Sequence, residues 1–146
     1  MIAIGNDHAA VELKNDIVSF FKENGIEYKD FGCGEGEKCQ YPDMAKTVCS
    51  SVVSGEAEMA VLVCGTGVGM SISANKIRGI RAACVSDCFS AKYTRLHNDA
   101  NVLCIGARVV GTGLARELVK TFIETGFEGG RHAERVELIK KLEEEF

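Results

Sequence analysis

One cysteine of this chain stands where a thiol could act as a base. Cys64 ends an apolar run and is followed at once by the glycine-rich segment 65–69, with the sequence Gly-Thr-Gly-Val-Gly. A thiol at a strand end, beside backbone N–H groups that open a helix, is favoured in its thiolate form. The alternative is a buried strand-end cysteine that only packs. The neighbouring residues have to decide between these interpretations.

The glycines of segment 65–69 allow a ligand to approach the backbone closely. Consecutive N–H groups in such a loop can hold an anion or a developing oxyanion. The spacing Gly-x-Gly-x-Gly weakens a dinucleotide-binding interpretation, although Asp87 lies about 20 residues further on. Met70 stands where a Walker A loop carries Lys and where a phosphatase of the Cys-x5-Arg type carries Arg. We therefore expect an oxyanion cradle beside a thiol.

Further polar residues stand at the ends of other predicted elements. Asp7 and His8 follow the first predicted strand, Arg108 follows the fifth, and His97 and Asn98 end the helix before it. Each has a simpler explanation, since Asp7 can cap a helix, a lone His is more often structural, and Arg108 can be a surface charge. We expect them together at one edge of the sheet, where parallel sheets bind ligands.

Two arginines near the end of the chain share one face of a predicted helix. Arg131 and Arg135 are four residues apart, and Arg131 stands at the helix start, where the helix dipole disfavours a cation. Two arginines there are explained if they face a dianion such as a phosphate. The alternative is a solvated charged face that they share with Glu134, Glu137 and Lys140.

The elements that must position these residues alternate between strand-like and helix-like segments. Met59–Cys64 is continuously apolar, which is typical of a central strand buried on both faces. Leu13 and Ile17 recur at helical spacing before Gly25, and similar patterns follow later strands. The alternation predicts an α/β three-layer domain over residues 1–146, with a parallel sheet and helices on both faces. The strands are expected at 2–5, 26–31, 59–64, 80–85 and 102–105.

Some helix boundaries can be predicted from single residues. Asp43 is expected to cap a helix after the long loop Gly32–Pro42, and Arg131–Glu145 is expected to form the closing helix. From that last helix we expect Ile139 and Leu142 to face the core.

Composition excludes several classes of protein. The net charge of −4 makes a nucleic-acid or anionic-membrane partner unexpected. Apolar runs are too short to span a bilayer, and the first residues lack a secretory signal, so we expect a soluble, cytoplasmic protein. The seven cysteines contain no Cys-x-x-Cys, and the three histidines are not at zinc-ligand spacing from them. We expect free thiols and no metal site.

Taken together, these segments resemble the ribose-5-phosphate isomerase type B family, which also contains the galactose-6-phosphate isomerase subunits. The resemblance covers essentially the whole chain, and its most specific motifs are Cys-Gly-Thr-Gly-x-Gly and His-Asn-Asp-x-Asn. It implies a Rossmann-like fold, no cofactor, and a homodimer or dimer of dimers whose active sites draw residues from both protomers. The matching segments are 5–8, 41–42, 64–69, 74–76, 79–81, 97–103, 108–111 and 129–132.

The activity that the resemblance implies is the interconversion of ribose 5-phosphate and ribulose 5-phosphate in the pentose phosphate pathway. Cys64 would move a proton between C2 and C1 through an enediolate, and the Thr66 hydroxyl would assist proton movement between the oxygens. His97 would open the furanose ring before C2 becomes acidic. The enediolate oxygen would be stabilised by Gly65, Gly67, Val68 and Gly69.

The same resemblance implies residues that bind the substrate. Asp7 and Asn98 would hold sugar hydroxyls, and Tyr41 would line the pocket. Remote binding of the phosphate can hold the acyclic sugar in reactive geometry. The phosphate would be held by His8, Arg108, Arg131 and Arg135.

Two departures bear on the substrate. Some family members carry a Glu one turn into the loop helix and lack the cysteine, whereas this chain has Met70 and Cys64. Galactose-6-phosphate isomerase subunits usually lack the histidine that is present here as His97, which favours the pentose enzyme. A six-carbon substrate such as allose 6-phosphate or galactose 6-phosphate stays open, because one carbon is a question of pocket size. A non-catalytic phosphate- or nucleotide-binding module is the alternative of another class.

Overall fold

A parallel five-stranded sheet runs through the centre of the computed structural model, which describes residues 1–146. The strands lie in the order β2-β1-β3-β5-β4, and every neighbouring pair is parallel. From β1 the chain moves outward to β2 on one side and later to β3 on the other, so the direction of winding changes between β1 and β3. The strands are β1 (Ile2–Asn6), β2 (Tyr28–Asp30), β3 (Met59–Cys64), β4 (Ala82–Cys84) and β5 (Val102–Gly106).

Helices cover both faces of this sheet, and an apolar cluster lies under each layer. One cluster includes Ile17 and Phe21 of α1 and Phe122 of α5, and the other includes Val48 of α2 and Met70 of α3. The predicted three-layer α/β fold is therefore confirmed. The helices are α1 (Val11–Glu23), α2 (Tyr41–Val53), α3 (Val68–Ala74), α4 (Cys88–Asn98), α5 (Thr112–Glu124) and α6 (Arg131–Glu145).

The two outermost strands are shorter than the sequence predicts. Strands β2 and β4 have three residues each, against the six expected at 26–31 and at 80–85. Each pairs on one side only, with β1 or with β5, so its ends lack a second ladder to hold them. The central strand β3 has the predicted bounds, because both of its neighbours pair along nearly its whole length.

Helix α2 begins earlier than predicted, and Asp43 does not cap it. The N-cap is Gln40, and Pro42 lies in the first turn. Proline is tolerated there because the first N–H groups of a helix have no carbonyl partner within it. Asp43 lies in the first turn instead, where a carboxylate interacts favourably with the helix dipole.

The expectation that α6 buries Ile139 and Leu142 is wrong. These side chains are 38% and 56% exposed, and the buried residues of α6 are His132 and Val136. Helix α6 packs against α4, and its last turns meet the segment after α3, where the Arg78 side chain donates to the Glu143 carbonyl at 2.9 Å and the Gly79 N–H donates to the Glu143 carboxylate at 3.1 Å. The apolar face that carries Ile139 and Leu142 stays exposed beside these polar contacts. None of the six helices combines the length and the apolar character that a membrane-spanning helix needs.

The cysteines also differ from expectation, because two of them are joined. Cys33 and Cys39 form a disulfide within the loop between β2 and α2, with their Cα atoms 6.4 Å apart. The sequence predicts free thiols because nothing in a spacing of six residues indicates that this loop folds back on itself. The other five cysteines are free, as predicted.

Candidate active site

The Cys64 side chain lies at the end of β3, under the glycine-rich segment. Its Sγ atom accepts a hydrogen bond from the Gly67 N–H at 3.1 Å, and the residue is 5% exposed. Parallel pairing holds the strand end in place, with Cys64 opposite Gly106 of β5. The thiol is therefore held beside backbone donors, as the sequence predicts.

The glycine-rich segment takes a path that larger residues could not follow. Gly67 has φ +79°, and a Cβ atom on it would lie 2.9 Å from the Cys84 sulfur. Below the segment, a Cβ atom on Gly106 would lie 2.7 Å from the Thr66 backbone. The N–H groups of Gly65 and Thr66 donate to no acceptor within the chain. They remain available to an oxyanion beside the sulfur.

Two larger side chains border this segment. The Arg108 N–H donates to the Gly65 carbonyl at 3.0 Å, and its exposed guanidinium lies so near that a Cβ on Gly65 would be 3.3 Å from Nη1. The Tyr41 ring lies against Gly69, where a Cβ would be 2.9 Å from the ring. A cation and an aromatic ring thus stand on either side of the cradle.

Asp7 and His8 follow β1 at the same edge. The Asp7 Oδ1 atom accepts from the Ala9 N–H at 2.9 Å, and its backbone N–H donates to the Val63 carbonyl at 3.1 Å. Asp7 does not cap α1, because that helix has Ala10 as its N-cap. The His8 ring is exposed, with Nδ1 3.3 Å from the Cys39 carbonyl.

Asn6 has a structural role here that was not predicted from the sequence. It is completely buried, and its Nδ2 donates to the Asp7 carbonyl at 2.8 Å and to the Cys33 carbonyl at 3.3 Å. Its Oδ1 has no partner and lies against Gly32. Asn6 thereby ties the end of β1 to the disulfide-bonded loop. A polar residue at the end of a buried strand is the signal that could have indicated it.

A second group of predicted residues surrounds His97, at the end of α4. The His97 and His132 rings stack with centroids 4.0 Å apart and an angle of 11° between their planes. Both Nε2 atoms face one oxygen of Glu128, at 3.7 Å from His97 and 3.8 Å from His132. Burial, together with the nearby His97 and Arg131, lowers the pKa of His132 below its ordinary value. Arg131 and Arg135 are exposed on the first turns of α6.

These two groups lie at opposite edges of the sheet. The carboxyl-edge cluster consists of Asp7, His8, Cys64, segment 65–69 and Arg108. The amino-edge cluster consists of His97, Asn98, Arg131 and Arg135.

The position of the amino-edge cluster follows from backbone contacts near the starts of β4 and β5. The Arg81 N–H donates to the Asn101 side chain at 2.8 Å, and the Glu128 N–H donates to the Leu96 carbonyl at 3.1 Å. Strand β5 is about 13 Å long at 3.3 Å per residue, and the two clusters lie at its opposite ends. The expectation that His97 and Asn98 share the edge of Cys64 is therefore wrong. A helix that follows a parallel strand must run back along the sheet before the next strand can start, so it ends at the amino edge.

Two sets of side chains are close enough together to consider as metal ligands. They are Cys33, Glu37 and Cys39, and His97, Glu128 and His132, with ligand atoms within 4.8 Å of one another in each set. In the first set the disulfide leaves no thiolate. In the second, a metal ion cannot lie in two nearly parallel ring planes that are 4.0 Å apart. Neither set is arranged to bind a metal.

Comparison with known proteins gives consistent matches over almost the whole chain. A family model described as Ribose/Galactose Isomerase matches residues 2–139. Ribose-5-phosphate isomerase B of Escherichia coli is 46% identical, over 98% of this chain and 96% of its own. D-erythrulose-4-phosphate isomerase of Pectobacterium atrosepticum is 43% identical, over 94% and 91%. A solved structure of ribose-5-phosphate isomerase B from Clostridium thermocellum superposes with a TM-score of 0.96 at 46% identity, covering 99% and 97%.

Proposed function

This chain belongs to the ribose/galactose isomerase family, and on that premise we propose that it interconverts ribose 5-phosphate and ribulose 5-phosphate. The observation that carries the proposal is the Cys64 thiol, held at 3.1 Å from the Gly67 N–H beside free backbone donors. Removal of a proton from carbon needs a base and an electrophile at the adjacent oxygen. The thiolate and the glycine-rich segment can supply these two functions.

The proposed reaction begins when the Cys64 thiolate takes the C2 proton of the open-chain aldose. The electron pair moves into a C1–C2 double bond, and negative charge develops on O1, where the N–H groups of Gly65 and Thr66 can stabilise it. With the Thr66 hydroxyl assisting, the O2 proton moves to O1. The thiol then returns its proton to C1, which leaves a C2 ketone and restores the thiolate.

The remaining predicted residues would bind and open the sugar. His97 would move a proton from the C1 hydroxyl to the ring oxygen while the bond between C1 and that oxygen breaks. Asp7 and Asn98 would hold sugar hydroxyls. The phosphate would be held by His8, Arg108, Arg131 and Arg135.

We propose that two copies of the chain build each site. His97 and Cys64 lie at opposite edges of one sheet, so a single chain does not bring ring opening and proton transfer to one substrate. A second copy can place its amino-edge cluster over the carboxyl-edge cluster of the first. The exposed apolar residues of α6 offer a surface for such an association, as a homodimer or a dimer of dimers. They are Leu138, Ile139 and Leu142.

The organisation and location of the protein complete the proposal. Residues 1–146 would act as one isomerase domain, since a single sheet carries both apolar clusters. A cytoplasmic location is supported by five free thiols, which a reducing compartment preserves, and in such a compartment we expect the Cys33–Cys39 disulfide to be reduced.

The experiment that tests the activity is ribulose 5-phosphate formation from ribose 5-phosphate in buffer that contains a chelator. We expect turnover by the wild type and a loss of at least about a hundredfold in Cys64→Ala, with substrate binding retained, because the base is removed. Cys88→Ala is the matched control, since Cys88 is free and lies outside the glycine-rich segment. No turnover by the folded wild type would contradict the proposed activity, and substantial turnover by Cys64→Ala would exclude the thiol as the base.

A further inference from the structure

Glu128 lies at the amino edge, in the segment between α5 and α6, and none of the roles assigned above uses it. Its Oε2 atom is 3.7 Å from Nε2 of His97 and 3.8 Å from Nε2 of His132. Its backbone N–H donates to the Leu96 carbonyl at 3.1 Å, which fixes the segment beside the end of α4. The backbone of the segment is therefore fixed, and the Glu128 carboxylate, on a side chain that is 59% exposed, lies within ion-pair distance of the same nitrogen of both rings.

The His97 ring is restrained on its other sides as well. His132 is 5% exposed and stacks on one face of the ring, and its backbone N–H donates to the Gly129 carbonyl at 3.1 Å. The Tyr93 ring meets the His97 ring edge-on, with centroids 4.9 Å apart. These two contacts limit the orientations of the His97 ring, whose side chain is 36% exposed, and a charged neighbour can then bias which nitrogen carries the hydrogen.

A carboxylate beside one imidazole nitrogen selects the tautomer with hydrogen on that nitrogen. At His97 the facing atom is Nε2, at 3.7 Å from the carboxylate, so the negative charge favours hydrogen on Nε2 and leaves Nδ1 as an acceptor. The Nδ1 atom of His97 has no hydrogen-bond partner within the chain, whereas that of His8 faces a carbonyl. Nδ1 of His97 is thus available to a substrate hydroxyl.

We propose that Glu128 is a positioning residue for ring opening, which orients His97 and keeps Nδ1 as the nitrogen that exchanges a proton with the sugar. This inference rests on the proposed isomerase function. Nδ1 takes the proton of the C1 hydroxyl, the bond between C1 and the ring oxygen breaks, and Nδ1 delivers the proton to that oxygen. The imidazole is unchanged at the end, and the carboxylate transfers nothing.

A comparison of two reactions tests this role, because only one of them needs ring opening. Ribose 5-phosphate is mostly a furanose, whereas ribulose 5-phosphate has its 5-hydroxyl blocked by phosphate and stays open-chain. Exchange of the C1 hydrogen of ribulose 5-phosphate in deuterated water, followed by NMR, therefore depends on Cys64 and not on His97. We expect Glu128→Gln to lower kcat for ribose 5-phosphate about fivefold, as the loss of a partly exposed ion pair would. KM and the exchange rate should stay unchanged.

Two controls separate this role from a general effect on the fold. Glu124→Gln makes the same change four residues earlier on an exposed side chain and should have no effect. In a His97→Asn background, Glu128→Gln should cost nothing further, since it acts through that ring. Unchanged kcat in Glu128→Gln, an equal loss in both reactions, or an additive loss in the double variant would overturn the proposal. A wild type without ribose 5-phosphate turnover would instead overturn the proposed function.

Discussion

The Cys64 thiol is buried like those of Cys49 and Cys104, and it differs from them in the groups that surround it. Cys49 and Cys104 are completely buried, and burial raises the pKa of Cys49 to about 12 and that of Cys104 well above its ordinary value. Both thiols stay protonated at neutral pH and pack as small apolar side chains. Cys64 accepts an N–H from the glycine-rich segment instead. The residue type alone therefore does not tell which cysteine could act as a base and which cysteines only pack in the core.

The phosphate role of Arg135 predicts a change in binding rather than in chemistry. Because its guanidinium would contact the phosphate equally in the ground state and the transition state, Arg135→Ala should raise KM about tenfold or more with kcat nearly unchanged. Steady-state kinetics with ribose 5-phosphate measures this. Lys141→Ala removes a cation from the same helix and should leave both constants unchanged. An unchanged KM with a collapsed kcat would show the assignment to be wrong.

His132 predicts a pH dependence of stability. Burial lowers the pKa of His132 in the folded protein below its ordinary value of 6.5, so the unfolded chain takes up this proton first as the pH falls. Its contribution to stability is complete above about pH 6.5 and is lost below that value. We expect the urea midpoint to fall less between pH 7.5 and 5.5 in His132→Asn than in the wild type. The exposed His8→Asn is the control, and equal pH dependence in His132→Asn and the wild type would contradict the prediction.

Among the helices and strands, the turn from β3 into α3 requires a residue without a side chain. Gly67 is the N-cap of α3 with φ +79°, and it lies between the Cys84 sulfur and the backbone of β5. Gly36 has a similar φ of +77° but open space around it. An added side chain would have to adopt a left-handed backbone at both positions, but it would contact neighbouring atoms only at Gly67. The effects of the same substitution at Gly36 and Gly67 can therefore be compared.

Substitution at these two glycines should therefore have unequal effects. Both Gly36→Ala and Gly67→Ala incur a backbone cost of about 1–2 kcal/mol. Gly67→Ala also overpacks the site, which adds about 1–3 kcal/mol to the loss in the free energy of unfolding and displaces the donors beside Cys64. Urea denaturation measures the first effect, and the isomerase assay measures the second. Equal destabilisation by the two substitutions would show that the contact with Cys84 and β5 is not tight.

At the scale of the whole molecule, the fold separates the residues that the proposed reaction needs together. Cys64 ends β3, and Asp7 and Arg108 follow β1 and β5, so these three residues lie at the carboxyl edge. His97 and Arg131 lie at the amino edge. Apolar side chains on α6 remain uncovered, and Phe89 on α4 is 70% exposed. An assembly of two copies would explain both the divided site and the uncovered surface.

Mixing two inactive variants tests the shared site. If each site takes Cys64 from one copy and His97 from the other, a mixed dimer of Cys64→Ala and His97→Asn chains contains one site that is wholly intact. Random reassociation of equal amounts should then restore about a quarter of the wild-type activity, because half of the dimers are mixed. Each variant reassociated alone is the control. A mixture as inactive as its components would mean that the site is not divided in this way.

Features that depend on local physical chemistry could be predicted from the residues. The apolar run Met59–Cys64 predicts the central strand and its bounds, because a strand buried on both faces cannot contain polar residues. The limits of α6 and the glycine-rich segment after Cys64 are equally local, since helix and turn preferences act over a few residues. The fold class follows from the alternation of such patterns.

Where the ends of the elements meet, and which surfaces stay uncovered, could be seen only in the folded chain. The residues around His97 and Cys64 indicate that a helix or a strand ends there, but not at which edge of the sheet it ends. The order and direction of the strands place these two ends at opposite edges. Ile139 and Leu142 have helical spacing, but the residues that α6 buries are His132 and Val136, in its first turns. The physical reason is that periodicity predicts which face of a helix is apolar. Whether the same chain or a second copy covers that face depends on where the folded chain places the helix.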